Sequence, residues 1–148
     1  MSADTFTYSA EPVDVSKKIT IVAAKWNGVL VDLLVQSAQD HLSLLGYTKI
    51  SIVYVPGSWE LVHASQQALL DSDGVISFGV VIRGETSHYA LITESVAQGL
   101  MQISIDAKKP VALGLIATED FDQAQRRCDP KELNKGKEIA QSLAEMLR

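Results

Sequence analysis

The sequence predicts an α/β domain built on a mostly parallel, four-stranded core sheet. Three observations carry this: four short apolar, β-prone runs; a helical spacing of apolar residues after each run; and turn residues at most changes of period. Parallel strands need crossover connections, and these put helices on the sheet faces. At 148 residues, 47% apolar and 21% charged, the chain can fill one core but not two independent catalytic domains. A formal charge of -5 without a long basic run disfavours nonspecific nucleic-acid binding and leaves room for a local anion site.

Residues 1–16 read as an N-terminal arm and 17–148 as a single domain. Thr5-Phe6-Thr7-Tyr8 alternates polar and apolar, which fits either an extended edge strand or an unstructured terminus. Ile19 to Ala24 is the first strand, closed by Lys25-Trp26-Asn27-Gly28, with Asn27 placed to cap the next helix. In that helix Leu30, Leu34, Ala38, His41 and Leu45 recur at helical intervals until Gly46 stops it. Ile50 to Val55 is the second strand, broken by Pro56-Gly57. Ser58 then caps a helix carrying Leu61, Val62, Ser65, Ala68 and Leu69.

The third strand spans Val75 to Ile82 and hands over through Arg83-Gly84-Glu85-Thr86-Ser87-His88 to a helix from about Ser87 to Ala107. The apolar positions of that helix are Leu91, Ile92, Val96, Leu100, Ile103 and Ala107. Pro110 opens the fourth strand, through Ala117, and Thr118 or Asp120 opens another helical segment. Asp129-Pro130-Lys131-Glu132 has the residue order of a helix start, so the last helix is expected there, with Leu133, Ala140, Leu143 and Leu147 on its apolar side.

Ligands of such folds bind beyond the carboxyl ends of the strands, near Trp26, Ser58, Gly84 and Thr118. Trp26 and Asn27 suit a heteroaromatic ring, or equally a core tryptophan and a cap. Gly57-Ser58-Trp59-Glu60 offers backbone donors and a carboxylate to a polyol, or is simply a turn and a first-turn acid. The small residues from Gly84 to Ser87 expose amides where a strand meets a helix, which suits phosphate, without the Lys-Ser/Thr ending of a nucleotide-hydrolase loop. His88 follows, where the positive end of the helix dipole favours neutral imidazole, a base; a capping or solvated histidine is the plainer role. His41 and His63 lack ligand spacing and read as packed or solvated helix residues. Arg126, Arg127 and Lys135 are separated cations, one of which could meet phosphate across an interface. Cys128, the single cysteine, reads as a packed thiol; it cannot pair within the chain. With no leader-like start and no run long enough to span a bilayer, a cytoplasmic setting is expected.

In combination these blocks are more specific than any one of them. Lys25-Trp26-Asn27, Val55 to Leu61, Gly79 to Tyr89, Gln123 to Arg127 and Asn134-Lys135-Gly136 together resemble 6,7-dimethyl-8-ribityllumazine synthases, from about Ile19 to the C-terminus. The resemblance implies a flavodoxin-like three-layer sandwich. It also implies a transferase acting late in riboflavin biosynthesis, which condenses 5-amino-6-ribitylaminopyrimidinedione with 3,4-dihydroxy-2-butanone 4-phosphate without metal or organic cofactor. On this resemblance Trp26 meets the heterocycle, Ser58, Trp59 and Glu60 the pyrimidine and ribityl side, and Val81 and Ile82 lie beside the ring. Gly84, Glu85 and Thr86 approach phosphate, and His88 transfers protons. Leu113, Arg127 and Lys135 come from a neighbouring subunit of a homopentamer, free or assembled into a sixty-chain icosahedral shell; Arg127 binds the phosphate and, catalytic alongside His88, stabilises it as it departs. No nucleic acid or membrane partner is implied.

Three departures from the family pattern stand out. Ala90 replaces a common acid two residues beyond His88, Leu113 replaces a frequent aromatic, and Cys128 to Leu133 replaces a glycine-containing connector. Two alternatives remain at this level: an archaeal-type riboflavin synthase dismutating two lumazines, and a catalytically weak flavin- or lumazine-binding shell protein.

Overall fold

The structure is a computed structural model, and it describes residues 7–9 and 11–148. In chain order it contains β1 (Ile19–Ala24), α1 (Gly28–Leu45), β2 (Ile50–Val55), a 3-10 turn (Ser58–Glu60) and α2 (Leu61–Leu69). These are followed by β3 (Gly74–Ile82), α3 (His88–Ala107), β4 (Val111–Thr118), α4 (Phe121–Cys128) and α5 (Lys135–Met146). The strands form one all-parallel sheet in the order β2-β1-β3-β4. Because the order reverses at β1, the crevice between β1 and β3 is the topological switch point of the fold. Thr7, Tyr8 and Ser9 form no strand, and Thr5 and Phe6 lie outside the described residues.

Alternation along β1 divides the core. Ile19, Ile21 and Ala23 join Ile76, Phe78 and Val80 of β3 against α1, α4 and α5. Val22 and Ala24 face the opposite way, with Val75, against Leu61 and Leu69 of α2 and Val96, Leu100 and Ile103 of α3. The result is a three-layer sandwich with both sheet faces covered, which is why β1 and most of β3 read as unbroken apolar runs. Buried hydroxyls are paired across the layers: Ser65 with Ser77 at 2.6 Å, and Thr20 with Ser72 at 2.5 Å. α1 and α5 approach closely: a Cβ on Gly136 would sit 2.5 Å from the Leu34 carbonyl oxygen.

Most elements fall where the apolar periods put them, and α1 ends at Gly46 in the left-handed region, φ 111°. The last helix is the main exception. Asp129 closes α4, its Oδ1 accepts the Lys131 amide at 2.8 Å, and its carbonyl accepts from Glu132 and Asn134. The Asp-Pro start signal is therefore used as a turn, and α5 begins at Lys135. Leu133 consequently lies outside α5 and is exposed, as are Leu91 and Ala107 on α3. Asn27 and Ser58 stand at the expected boundaries, but neither side chain caps a helix. Asp120 does cap α4, accepting the Gln123 amide at 2.8 Å. His41 is a packed residue, its Nε2 2.7 Å from Gln141 Oε1, and His63 is exposed. No helix among the described residues is long and apolar enough to cross a membrane.

Candidate active site

All four strands point their carboxyl ends the same way, so the segments after them share one rim. After β1 the chain follows β2: the Lys25 amide donates to the Val55 carbonyl at 2.8 Å and the Trp26 amide to the Pro56 carbonyl at 3.2 Å. This turns the Trp26 indole outward, 74% exposed, over Gly57. A Cβ on Gly57 would lie 3.0 Å from Trp26 Cδ1 and 3.6 Å from Glu60 Oε2, so the indole, the Gly57 backbone and the carboxylate converge. Lys25, Trp26, Asn27 and Pro56 line a cavity of about 320 Å³. Trp26 is thus not a core tryptophan.

Ser58 is buried in the 3-10 turn and packs on the β3 backbone, where a Cβ at Gly79 would sit 2.5 Å from its Oγ. Gly79 received no role from sequence reasoning, although a glycine inside a buried strand signals close approach of another chain segment. Trp59 is exposed and forms, with Val62, His63 and Gly99 among others, a second recess of about 350 Å³ between α2 and α3. Val81 and Ile82 are half-buried at the end of β3, beside the Asn27 side chain, whose Nδ2 donates to the Val80 carbonyl at 2.8 Å.

The turn from Gly84 to Ser87 is exposed, and nothing lies within 4 Å of where a Gly84 Cβ would stand. His88 is the first residue of α3, exposed, and its amide donates to Thr86 Oγ1 at 3.3 Å. Arg83 braces this turn from both sides. Its Nε lies 3.1 Å from Glu119 Oε2 after β4, and its guanidinium stacks 4.8 Å from the Tyr89 ring in the first turn of α3.

Two predicted residues, Leu113 and Arg127, lie away from this rim within the chain. Leu113 is paired with Ser77, five residues and so about 16 Å before Ile82 along the sheet, and is exposed. Arg127 occupies the last turn of α4, about 9 Å along the helix from its start, half-buried with Nη1 donating to the Gln123 carbonyl at 3.0 Å. Arg126 beside it is exposed. Lys135 opens α5 and pairs with Glu138 at 2.9 Å. Cys128 is buried, and burial pushes its thiol up to about 11, so it is protonated at neutral pH and no nucleophile.

A doubly wound α/β domain with an exposed aromatic, a carboxylate, an open glycine turn and a histidine on one strand-end rim defines a small-molecule enzyme of the three-layer sandwich class. The family model described as 6,7-dimethyl-8-ribityllumazine synthase matches residues 16–148. Three proteins of that name are similar to the chain over most of both lengths. The one from Leuconostoc mesenteroides is 38% identical, covering 95% of this chain and 93% of its own. That from Limosilactobacillus reuteri is 36% identical, covering 89% and 88%. That from Aquifex aeolicus is 41% identical, covering 85% and 84%. The chain belongs to the 6,7-dimethyl-8-ribityllumazine synthase family, transferases of riboflavin biosynthesis.

Proposed function

We propose that the strand-end rim joins 5-amino-6-ribitylaminopyrimidinedione to 3,4-dihydroxy-2-butanone 4-phosphate, giving 6,7-dimethyl-8-ribityllumazine and inorganic phosphate. The observation that carries this reading is that the exposed Trp26 indole and Glu60 meet over Gly57 on the same strand-end rim as the open Gly84 turn and His88 at the start of α3. The indole and the Val81-Ile82 edge hold the flat pyrimidine, while Ser58, Trp59 and Glu60 meet its polar edge and ribityl chain. The amides of Gly84, Glu85 and Thr86 receive the phosphate.

Catalysis follows from placement. Holding both reactants on one rim removes most of the entropic cost of their meeting. The primary amine of the pyrimidine attacks the ketone and water leaves, giving an imine. The hydroxyl-bearing carbon then loses a proton as phosphate departs from its neighbour, the resulting enol tautomerises to a ketone, and the ribityl-bearing nitrogen closes on that new carbonyl with loss of a second water. His88 carries protons between nitrogen, carbon and oxygen, and cationic and amide groups stabilise the departing phosphate.

Arg127 and Lys135 act on the rim of a neighbouring copy, where Leu113 also lies against the ring. Support comes from the distances within one chain: about 16 Å of strand separates Leu113 from the Ile82 end, and Arg127 lies at the far end of α4. Leu91, Met101 and Ile105 fall on one side of α3 and are all exposed, as expected of a face that a second copy covers. The assembly is a homopentamer, free or in a shell, working in the cytoplasm, with residues 1–16 as its arm. Mixing both substrates tests the reaction: lumazine and phosphate should appear one for one. Riboflavin formed from lumazine alone would mark the dismutating alternative instead. Binding without phosphate release would mark a weak shell protein.

A further inference from the structure

We infer that Asn27 is a positioning residue: its side-chain amide straps the end of β1 to β3 where the ladder between them stops, fixing the Trp26 indole relative to the ring-facing edge of β3. The inference rests on the function proposed above. The β1–β3 ladder ends at Ala23 and Phe78, whereas β1 stays paired with β2 through Ala24 and Val55. Beyond that pair the chain follows β2 through Lys25 and Trp26, and β3 continues to Ile82 alongside β4. The sheet therefore splits at the switch point. Asn27 Nδ2 crosses the split to the Val80 carbonyl at 2.8 Å.

The same residue makes the turn that permits this. Its backbone is left-handed, φ 55° and ψ 40°, which asparagine tolerates better than other residues bearing a side chain. Its carbonyl accepts the Leu30 and Val31 amides at 3.0 and 3.1 Å, which starts α1. Val80 precedes Val81 and Ile82, so the strap anchors the peptide next to the proposed ring edge, while Trp26 is its covalent neighbour. An amide donor already committed to a carbonyl is suited to holding two walls apart at a set distance. A capping role is absent, since no helix amide donates to this side chain.

Two substitutions separate the strap from the turn. Asn27→Asp sets a carboxylate oxygen against the Val80 carbonyl, and Asn27→Gly keeps the left-handed turn without the donor. The glycine variant also provides a folded protein should the aspartate variant fail to assemble. The first readout is time-resolved fluorescence anisotropy of Trp26 without substrate, in a Trp59→Phe background, since the chain holds 2 tryptophans. The amplitude of the nanosecond component should rise at least about twofold in both variants. The second is steady-state kinetics with Trp59 intact. KM for the pyrimidine should rise about tenfold while KM for the phosphorylated ketone stays within about twofold.

A higher KM with unchanged anisotropy would overturn the inference in favour of a direct ligand contact. Greater anisotropy amplitude with unchanged KM would overturn it too, since the strap would then set nothing the substrate reads. A wild-type protein that forms no lumazine would refute the functional reading separately, leaving the anisotropy to decide whether Asn27 holds Trp26.

Discussion

Replacing Gly79 with alanine tests how tightly the rim is built on β3. The new Cβ would lie 2.5 Å from Ser58 Oγ and 3.1 Å from both Leu61 Cδ1 and Leu115 Cδ1. Restoring an ordinary contact of about 3.4 Å needs the Ser58 hydroxyl to retreat by about 0.9 Å, and two leucines hem in the same methyl. Ser58 is buried and Leu61 fully so, which limits how far either can yield. Overpacking of this kind costs about 2 kcal/mol, which lowers Tm by about 4–8 °C for a chain of this size. Because Ser58 belongs to the proposed binding turn, KM for the pyrimidine should rise as well, by about threefold to tenfold. Thermal scans and initial rates measure the two effects. A Gly79→Ala/Ser58→Ala double variant, lacking the hydroxyl but keeping both leucine contacts, should recover part of the Tm but not the KM, a coupling that distant sites would not show. A single variant that melts within about 1 °C of wild type with unchanged KM would refute the packing argument.

Other consequences are as specific. His88→Ala should lower kcat by about 10²- to 10⁴-fold while changing pyrimidine affinity by no more than about threefold, measured by kinetics and separate ligand titration; unchanged turnover removes His88 from the mechanism. Gly136→Ala puts a Cβ 2.5 Å from a backbone oxygen, which cannot rotate away, so denaturation should show a loss of about 3 kcal/mol. Gly28→Ala, with nothing within 4 Å, should be neutral or slightly stabilising. Cys128 is held protonated by burial, its folded value being about 11 against an ordinary thiol near 9. Its contribution is present in full below about pH 9 and lost as pH rises through about 11. Stability should therefore fall by about 2–3 kcal/mol over that window and do so less steeply in Cys128→Ala. Parallel slopes would contradict it.

The parts legible in the sequence were those with local causes. Apolar runs bounded by turn residues located four strands, and the step from strand to helix at Arg83 to His88 marked the rim, because period and turn chemistry are written in neighbouring residues. What escaped depended on partners far away in the chain. Asn27 looked like a cap since nothing nearby revealed Val80, 53 residues on, as the acceptor of its amide. Asp129-Pro130 carried a genuine start signal, but the Asp129 carboxylate and carbonyl closed a turn on Lys131, Glu132 and Asn134 before a helix could form. The period of α3 correctly gave a helix while saying nothing about what covers Leu91 and Ala107. The need for Gly79 was visible only as a glycine in a buried strand, and its reason, the Ser58 hydroxyl, lies across the sheet edge.

The proposed site draws His88 from one chain and Arg127 from its neighbour. Co-assembling equal amounts of His88→Ala and Arg127→Ala chains tests it directly, since about a quarter of the interfaces would pair an intact His88 with an intact Arg127. Lumazine formation by the mixture should then approach a quarter of the wild-type rate, well above either parent alone. If the mixed assemblies are confirmed to form and are no more active than the average of the two parents, both residues serve the same chain's site and the shared-site account is wrong.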